Sequence, residues 1–131
     1  MIQIFGTLKN FDVKTAQRWF AERRISVQFV DLKEKEMSRG EFESVLEALA
    51  KQSGSRAAAI EEMIDRKSKD FFSIAYLDDS DKADKLFENQ LKLMKQPVCR
   101  NGKLFATVGL AQKVWETWTW VKGMGSDLFF F

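Results

Sequence analysis

Residues 2–32 read IQIFGTLKNFDVKTAQRWFAERRISVQFVDL, and their reading decides the fold class. Residues 2–5 are a short apolar run with one polar member, Gln3, closed by Gly6, which is the pattern of a buried strand. Asp12 is the expected N-cap of a helix over residues 13–24, because its carboxylate can accept from the orphan amides of a first turn. Val13, Ala16 and Phe20 recur at helical spacing and mark the inner face. A second strand is expected over residues 27–32. Strand, helix and strand in about 30 residues make a right-handed βαβ unit with parallel strands.

Outward from this unit the middle of the chain is helical. Ser38 and Glu41 form a capping box, and Phe42, Val45, Leu46 and Leu49 follow as an apolar stripe. Gly54 breaks that helix. The next is expected from Ser55 or Arg56 to about Arg66, burying Ala59, Ile60 and Met63. Ser80 is the expected cap of a further helix over residues 81–94, with Ala83, Leu86, Phe87, Leu91 and Met94 inward. The chain then returns to strands. Residues 98–100 and 103–108 flank Asn101-Gly102, a strong hairpin signal because both turn positions require positive φ. Leu110, Val114, Trp118 and Val121 mark a closing amphipathic helix, and SDLFFF (126–131) follows it. The order βαβ, helical block, ββα predicts one α/β domain over 1–131. Its core is a thioredoxin-like four-stranded mixed sheet with a helical insertion at about 38–94.

Composition narrows the function classes. The chain has 131 residues, 45% of them apolar, with twelve Phe and four Trp, so one aromatic-rich core is expected. There are 21 basic and 19 acidic residues, and the signs are interleaved, which gives no pointer to nucleic acid or membrane. Neither a signal peptide nor a membrane span is read in the sequence. Cys99 is the single cysteine and there is no histidine, so no internal disulfide, metal site or cofactor is expected. A reducing, cytoplasmic setting is the corresponding expectation.

Three fragments resemble the arsenate reductase (ArsC)/Spx family. In the first, IFGTLKNFDVKTAQRWFAERRI, Trp19-Phe20, Ala16 and Lys14 fall on the family's Trp-Leu, Ala and basic residue. The second, MIDRKSKDFF (63–72), is similar to the segment after the family's third helix. The third, KQPVCRNGKLFATVG (95–109), is similar to the segment around its cis-proline. The resemblance spans nearly the whole chain, and it implies a cis bond before Pro97.

The departures bear on chemistry. The same alignment sets Asn10 at the family's catalytic cysteine and Val13 at the second cysteine of the Spx-type CxxC switch. Gln96 stands where the reductases carry an arginine, and Arg66 corresponds to a second family arginine. The family reaction uses a thiolate, and an amide is neither nucleophilic nor redox-active. The amides opening helix 1, with Lys9 and Lys14, retain the makings of an anion site, which Asp12 opposes. An unused surface loop has the same sequence features. Cys99 reads either as a displaced nucleophile or as a small buried hydrophobe. The candidate anion- or partner-binding residues are therefore Lys9, Asn10, Phe11, Lys14, Arg66, Gln96, Pro97 and Cys99. The expectation is a non-catalytic interaction or regulatory module, for which the Spx resemblance implies RNA polymerase as partner, with no direct nucleic-acid binding. The alternative is a thiol-dependent reductase of a small oxyanion, using Cys99 or an external thiol.

Overall fold

The structure is a computed structural model and describes residues 1–118. Strands β1 (Ile2–Gly6) and β2 (Val27–Asp31) flank helix α1 (Phe11–Glu22). Helices α2 (Arg39–Ser53), α3 (Arg56–Met63), α4 (Asp79–Glu88) and α5 (Gln90–Leu93) follow. A 3-10 turn at Phe71–Ser73 lies between α3 and α4. Strands β3 (Val98–Asn101) and β4 (Phe105–Val108) complete the sheet, and residues 112–118 are helical. The strand order is β2-β1-β3-β4. β1 runs parallel to β2 and antiparallel to β3, and β4 runs antiparallel to β3. This is the thioredoxin-like mixed sheet that the sequence predicts, and the Gln96–Pro97 bond is cis.

Strand pleating divides the core in two, since alternate residues face opposite sides. Ile2, Ile4 and Cys99 point to one side, where they meet Ala16, Trp19 and Phe20 of α1 and Trp115 and Trp118 of the closing helix. Phe5, Val98 and Ala106 point to the other, where α2 to α5 cover them with Phe42, Leu46, Leu49, Ile60 and Leu86.

Several local expectations are corrected. Asn10, not Asp12, caps α1: its Oδ1 accepts from the Val13 amide at 3.0 Å, so the helix opens at Phe11. Asp78, not Ser80, caps α4, accepting from the Asp81 amide at 2.8 Å. The helix predicted over 81–94 is broken at Asn89, whose backbone leaves the helical region (φ −132°, ψ 47°). The break turns Gln90 inward. Its carboxamide accepts from the Met37 amide (2.8 Å) and donates to the Met37 carbonyl (3.0 Å), so a buried polar group is fully paired. Leu91 is therefore exposed rather than inward. Helix α3 stops at Met63, short of Arg66. The hairpin has a three-residue loop: Asn101 stays in the sheet opposite Phe105, and only Gly102 has positive φ. The closing helix buries Trp115 and Trp118, while Leu110 and Val114 are exposed. Val121 and the SDLFFF segment lie outside the described residues.

Candidate functional site

The site forms where β1 ends, α1 begins and the chain enters β3. Gly6 closes β1 because nothing larger fits: a Cβ there would lie 2.4 Å from Val13 Cγ2. The first turn of α1 is thereby seated on the end of the strand. The Asn10 amide donates to the Thr7 carbonyl (3.2 Å), which folds residues 7–10 into a tight loop. On the facing segment, Gln96 Oε1 accepts from the Thr7 amide (2.8 Å) and the Thr7 hydroxyl (3.2 Å). The Pro97 carbonyl accepts from the Gly109 amide at 2.8 Å.

A second tie brings the end of α3 to the same place. Ile64 bridges Met94 in antiparallel fashion. The Asp65 amide donates to the Leu93 carbonyl (2.7 Å) and the Lys95 amide to the Met63 carbonyl (2.8 Å). Together the three segments wall a cleft of about 600 Å³. Asn10, Gln96 and Arg66 line it. Lys67 and Lys95 join them, with the carboxylates of Asp12, Glu61, Glu62 and Asp65. Lys9, Phe11 and Lys14 are exposed at the rim without lining it, and Pro97 and Cys99 are buried.

The cleft is mixed in charge. Four carboxylates stand against three cations. Arg66 is already engaged, with its guanidinium 3.6 Å from Glu61 and stacked over Phe71 at 5.1 Å. Glu61 also accepts from Lys82. The helix N-terminus is partly occupied by the protein itself, because Asn10 takes the Val13 amide with its side chain and the Lys14 amide with its carbonyl (3.1 Å). Among the described residues no group of three His, Cys, Asp or Glu side chains is placed to hold a metal ion.

Cys99 lies away from this cleft, on the α1 side of the sheet between Ile4 and Thr107 in register. It is fully buried. Burial pushes its thiol from an ordinary value of 9.0 up to about 12, and a hydrogen bond with Thr107 pulls weakly the other way. The neutral thiol is thus the form the fold favours. Its contribution to stability is complete below pH 9, where folded and unfolded thiols are both protonated, and is lost as pH rises towards 12. Urea unfolding at pH 8 and pH 11, for the parent and for Cys99→Ala, checks this. The advantage of the parent over the variant is expected to shrink by about 2–3 kcal/mol between the two pH values. An unchanged difference would show that the thiol titrates normally.

Sequence reasoning missed Thr7, Glu61, Asp65 and Lys95 as parts of the site. It also missed Leu8, 56% exposed beside Asn10, next to the candidate Phe11, which is 76% exposed. An apolar pair bracketing Asn10, Leu-Lys-Asn-Phe, is the signal that could have been read.

No protein-family model and no curated protein matches this sequence. Solved structures do. An ArsC family related protein from Bacteroides fragilis is 14% identical with a TM-score of 0.73, covering 88% of this chain and 95% of its own. An arsenate reductase (ArsC) related protein from Brucella melitensis is 16% identical with a TM-score of 0.63, covering 90% and 93%. The arsenate reductase from Vibrio cholerae is 16% identical with a TM-score of 0.66, covering 82% and 87%. At these identities the likeness is one of fold: over most of its length, this chain folds as the arsenate reductase-related proteins do.

Proposed function

We propose that this chain is an arsenate reductase/Spx-type protein in which protein docking has replaced thiol chemistry, a cytoplasmic interaction or regulatory module. One observation carries the reading. Asn10 stands at the position the resemblance assigns to the nucleophile and spends its side chain on the Val13 amide, while Leu8 and Phe11 stand in the open on either side. Apolar side chains held out on a loop that a rigid sheet presents are recognition features. Lys9 and Lys14 supply a cationic rim, and Gln96 braces the loop from below through Thr7.

The Spx resemblance makes RNA polymerase the first partner to test. Polymerase purified from the same organism is expected to bind the immobilised protein. Leu8→Asp/Phe11→Asp should abolish binding and Lys14→Glu should weaken it. These residues are exposed, so the variants should keep the parent's stability to within about 0.5 kcal/mol by thermal unfolding. Equal binding to the double variant, or no binding to the parent, overturns the reading for this partner.

The neighbours described as arsenate reductases favour a second reading, thiol-dependent reduction of a small oxyanion. It requires Cys99 or an external thiol such as glutathione. The buried Cys99 sulfur and the carboxylate-rich cleft both stand against it. Arsenate turnover with glutathione and glutaredoxin that vanished in Cys99→Ser would establish this reading over docking.

A further inference from the structure

We propose that residues 119–131 fold back over the apolar patch that Met1, Leu104 and Phe105 leave open at one end of the sheet. The closing helix leads the chain there. It starts beyond the end of β4 and returns along that strand, so that the Trp115 indole reaches Thr107 at 2.8 Å. Trp118 lies about 4.5 Å farther along the helix axis. Phe105 stands two residues before Thr107 on β4 and therefore shares the face that the helix covers. Val27, Ile2, Asn101 and Phe105 form one row across the four strands. Ile2 belongs to the buried cluster that also holds Trp118.

That row is covered unevenly. Ile2 is buried, whereas Phe105 at the end of the row is 49% exposed and Leu104 beside it 62%. Met1 is exposed as well, and its carbonyl accepts from the Gly102 amide (3.5 Å), which sets it against the same hairpin. Three apolar side chains thus stand open at the end of the sheet towards which the chain is heading at Trp118. Leu8 and Phe11 lie at the opposite end, beyond Gly6 of β1.

Attachment and composition select the occupant. Seven of the thirteen residues 119–131 are apolar, namely Trp120, Val121, Met124 and the run Leu128–Phe131, and only Lys122 and Asp127 are charged. Gly123 and Gly125 tolerate the backbone conformations that a reversal requires. Residues 119–123 span up to about 16–18 Å when extended, enough to clear the helix end and return. A separate partner must reach the patch at its own concentration. A segment joined to residue 118 is held beside it at an effective concentration of the order of millimolar.

The test puts a nitroxide on Ser126→Cys in a Cys99→Ala background of the full chain and follows the backbone amides by NMR. Relative to the reduced label, the signals of Lys103, Leu104 and Phe105 are expected to be lost and those of Leu8 and Phe11 to be kept. Phe129→Ser/Phe130→Ser/Phe131→Ser and Leu104→Ser/Phe105→Ser should each restore the hairpin signals. Leu104 and Phe105 are exposed, so the second variant should keep the parent's signals elsewhere. A mixture of nitroxide-bearing chains with isotope-labelled chains that carry no nitroxide should show no loss. Loss in that mixture would mean that a second copy supplies the segment, and it overturns the proposal. So does loss at Leu8 and Phe11 in place of the hairpin, no loss at the hairpin, or loss that persists in both variants.

Discussion

Replacing Trp115 by alanine is expected to lower the free energy of unfolding by about 3–5 kcal/mol, the usual cost of removing a large ring from a packed core. Trp115 is fully buried. Its ring meets Phe20 at 5.0 Å and Trp19 at 5.5 Å between centroids, so one side chain fastens the closing helix to α1. Its Nε1 donates to Thr107 Oγ1 at 2.8 Å, which fastens the same helix to β4. The alanine variant loses both ties and opens a cavity between helix and sheet. Trp115→Phe keeps most of the ring but not the donor, and should cost less, about 1–3 kcal/mol. A domain of this size is typically stable by only about 5–15 kcal/mol, so the alanine change removes a large fraction of the total. Denaturant unfolding followed by far-ultraviolet circular dichroism checks this without relying on the tryptophan signal. A loss under about 1 kcal/mol for the alanine variant would mean that the closing helix does not belong to the cooperative unit.

Trp115 also shows where the sequence was readable and where it was not. An amphipathic helix after Gly109 was legible from spacing; of the face expected from Leu110, Val114, Trp118 and Val121, Trp118 is buried, but Leu110 and Val114 are exposed and Trp115 takes the inner position beside it. Helical periodicity leaves the inner face uncertain by a residue when apolar residues stand next to each other, as Val114 and Trp115 do. Thr107, the hydroxyl that selects the tryptophan, lies across a turn, and its role appears only in three dimensions. The βαβ unit was legible because its hydrophobic periods are clean and its segments adjacent. The first cap was not, because Asn10 and Asp12 are both competent. The choice falls to Asn10 through the Asn10–Thr7 turn behind it. The break at Asn89 was hidden for a similar reason: the helix yields to the pairing of Gln90 with Met37, 53 residues away in sequence. Most of the cleft was beyond reach of pattern reading. Its walls are joined by the Gln96–Thr7 contact, 89 residues apart, and by backbone bonds between 63–65 and 93–95. The reading that Asn10 takes the place of the family's cysteine rests on the resemblance alone. That the cleft around it carries more carboxylates than cations was not legible.

The cleft's latent chemistry is best exposed by Asn10→Cys in a Cys99→Ala background, in which the only thiol is the introduced one. Two fields act on that thiol. The N-terminus of α1, twelve residues long, directs its first-turn amides at residue 10, and the Val13 amide already donates to the side chain there. A helix N-terminus of this kind lowers a cysteine into the range of about 3.5–7.5. Against it stand Asp12 in the first turn and Glu61 and Asp65 across the cleft. The amides are in contact with the thiolate and the carboxylates are farther off and partly paired, so the helix should win. Alkylation by iodoacetamide is expected to follow a thiolate that titrates below about pH 7.5, while the parent, whose one thiol is the buried Cys99, reacts negligibly at pH 7. Losing the cap should cost about 0.5–2 kcal/mol, less if the thiolate accepts the Val13 amide in its place. The restored thiolate should still fail to reduce arsenate with glutathione and glutaredoxin, because an oxyanion entering the cleft meets four carboxylates against three cations, one of them, Arg66, already paired with Glu61, and Gln96 supplies no positive charge. A titration midpoint at or above pH 9 would show that the cleft's negative charge outweighs the helix end. Arsenate turnover by the variant would show the opposite, that the surroundings of Asn10 remain those of a reductase and that the cysteine was all the site lacked.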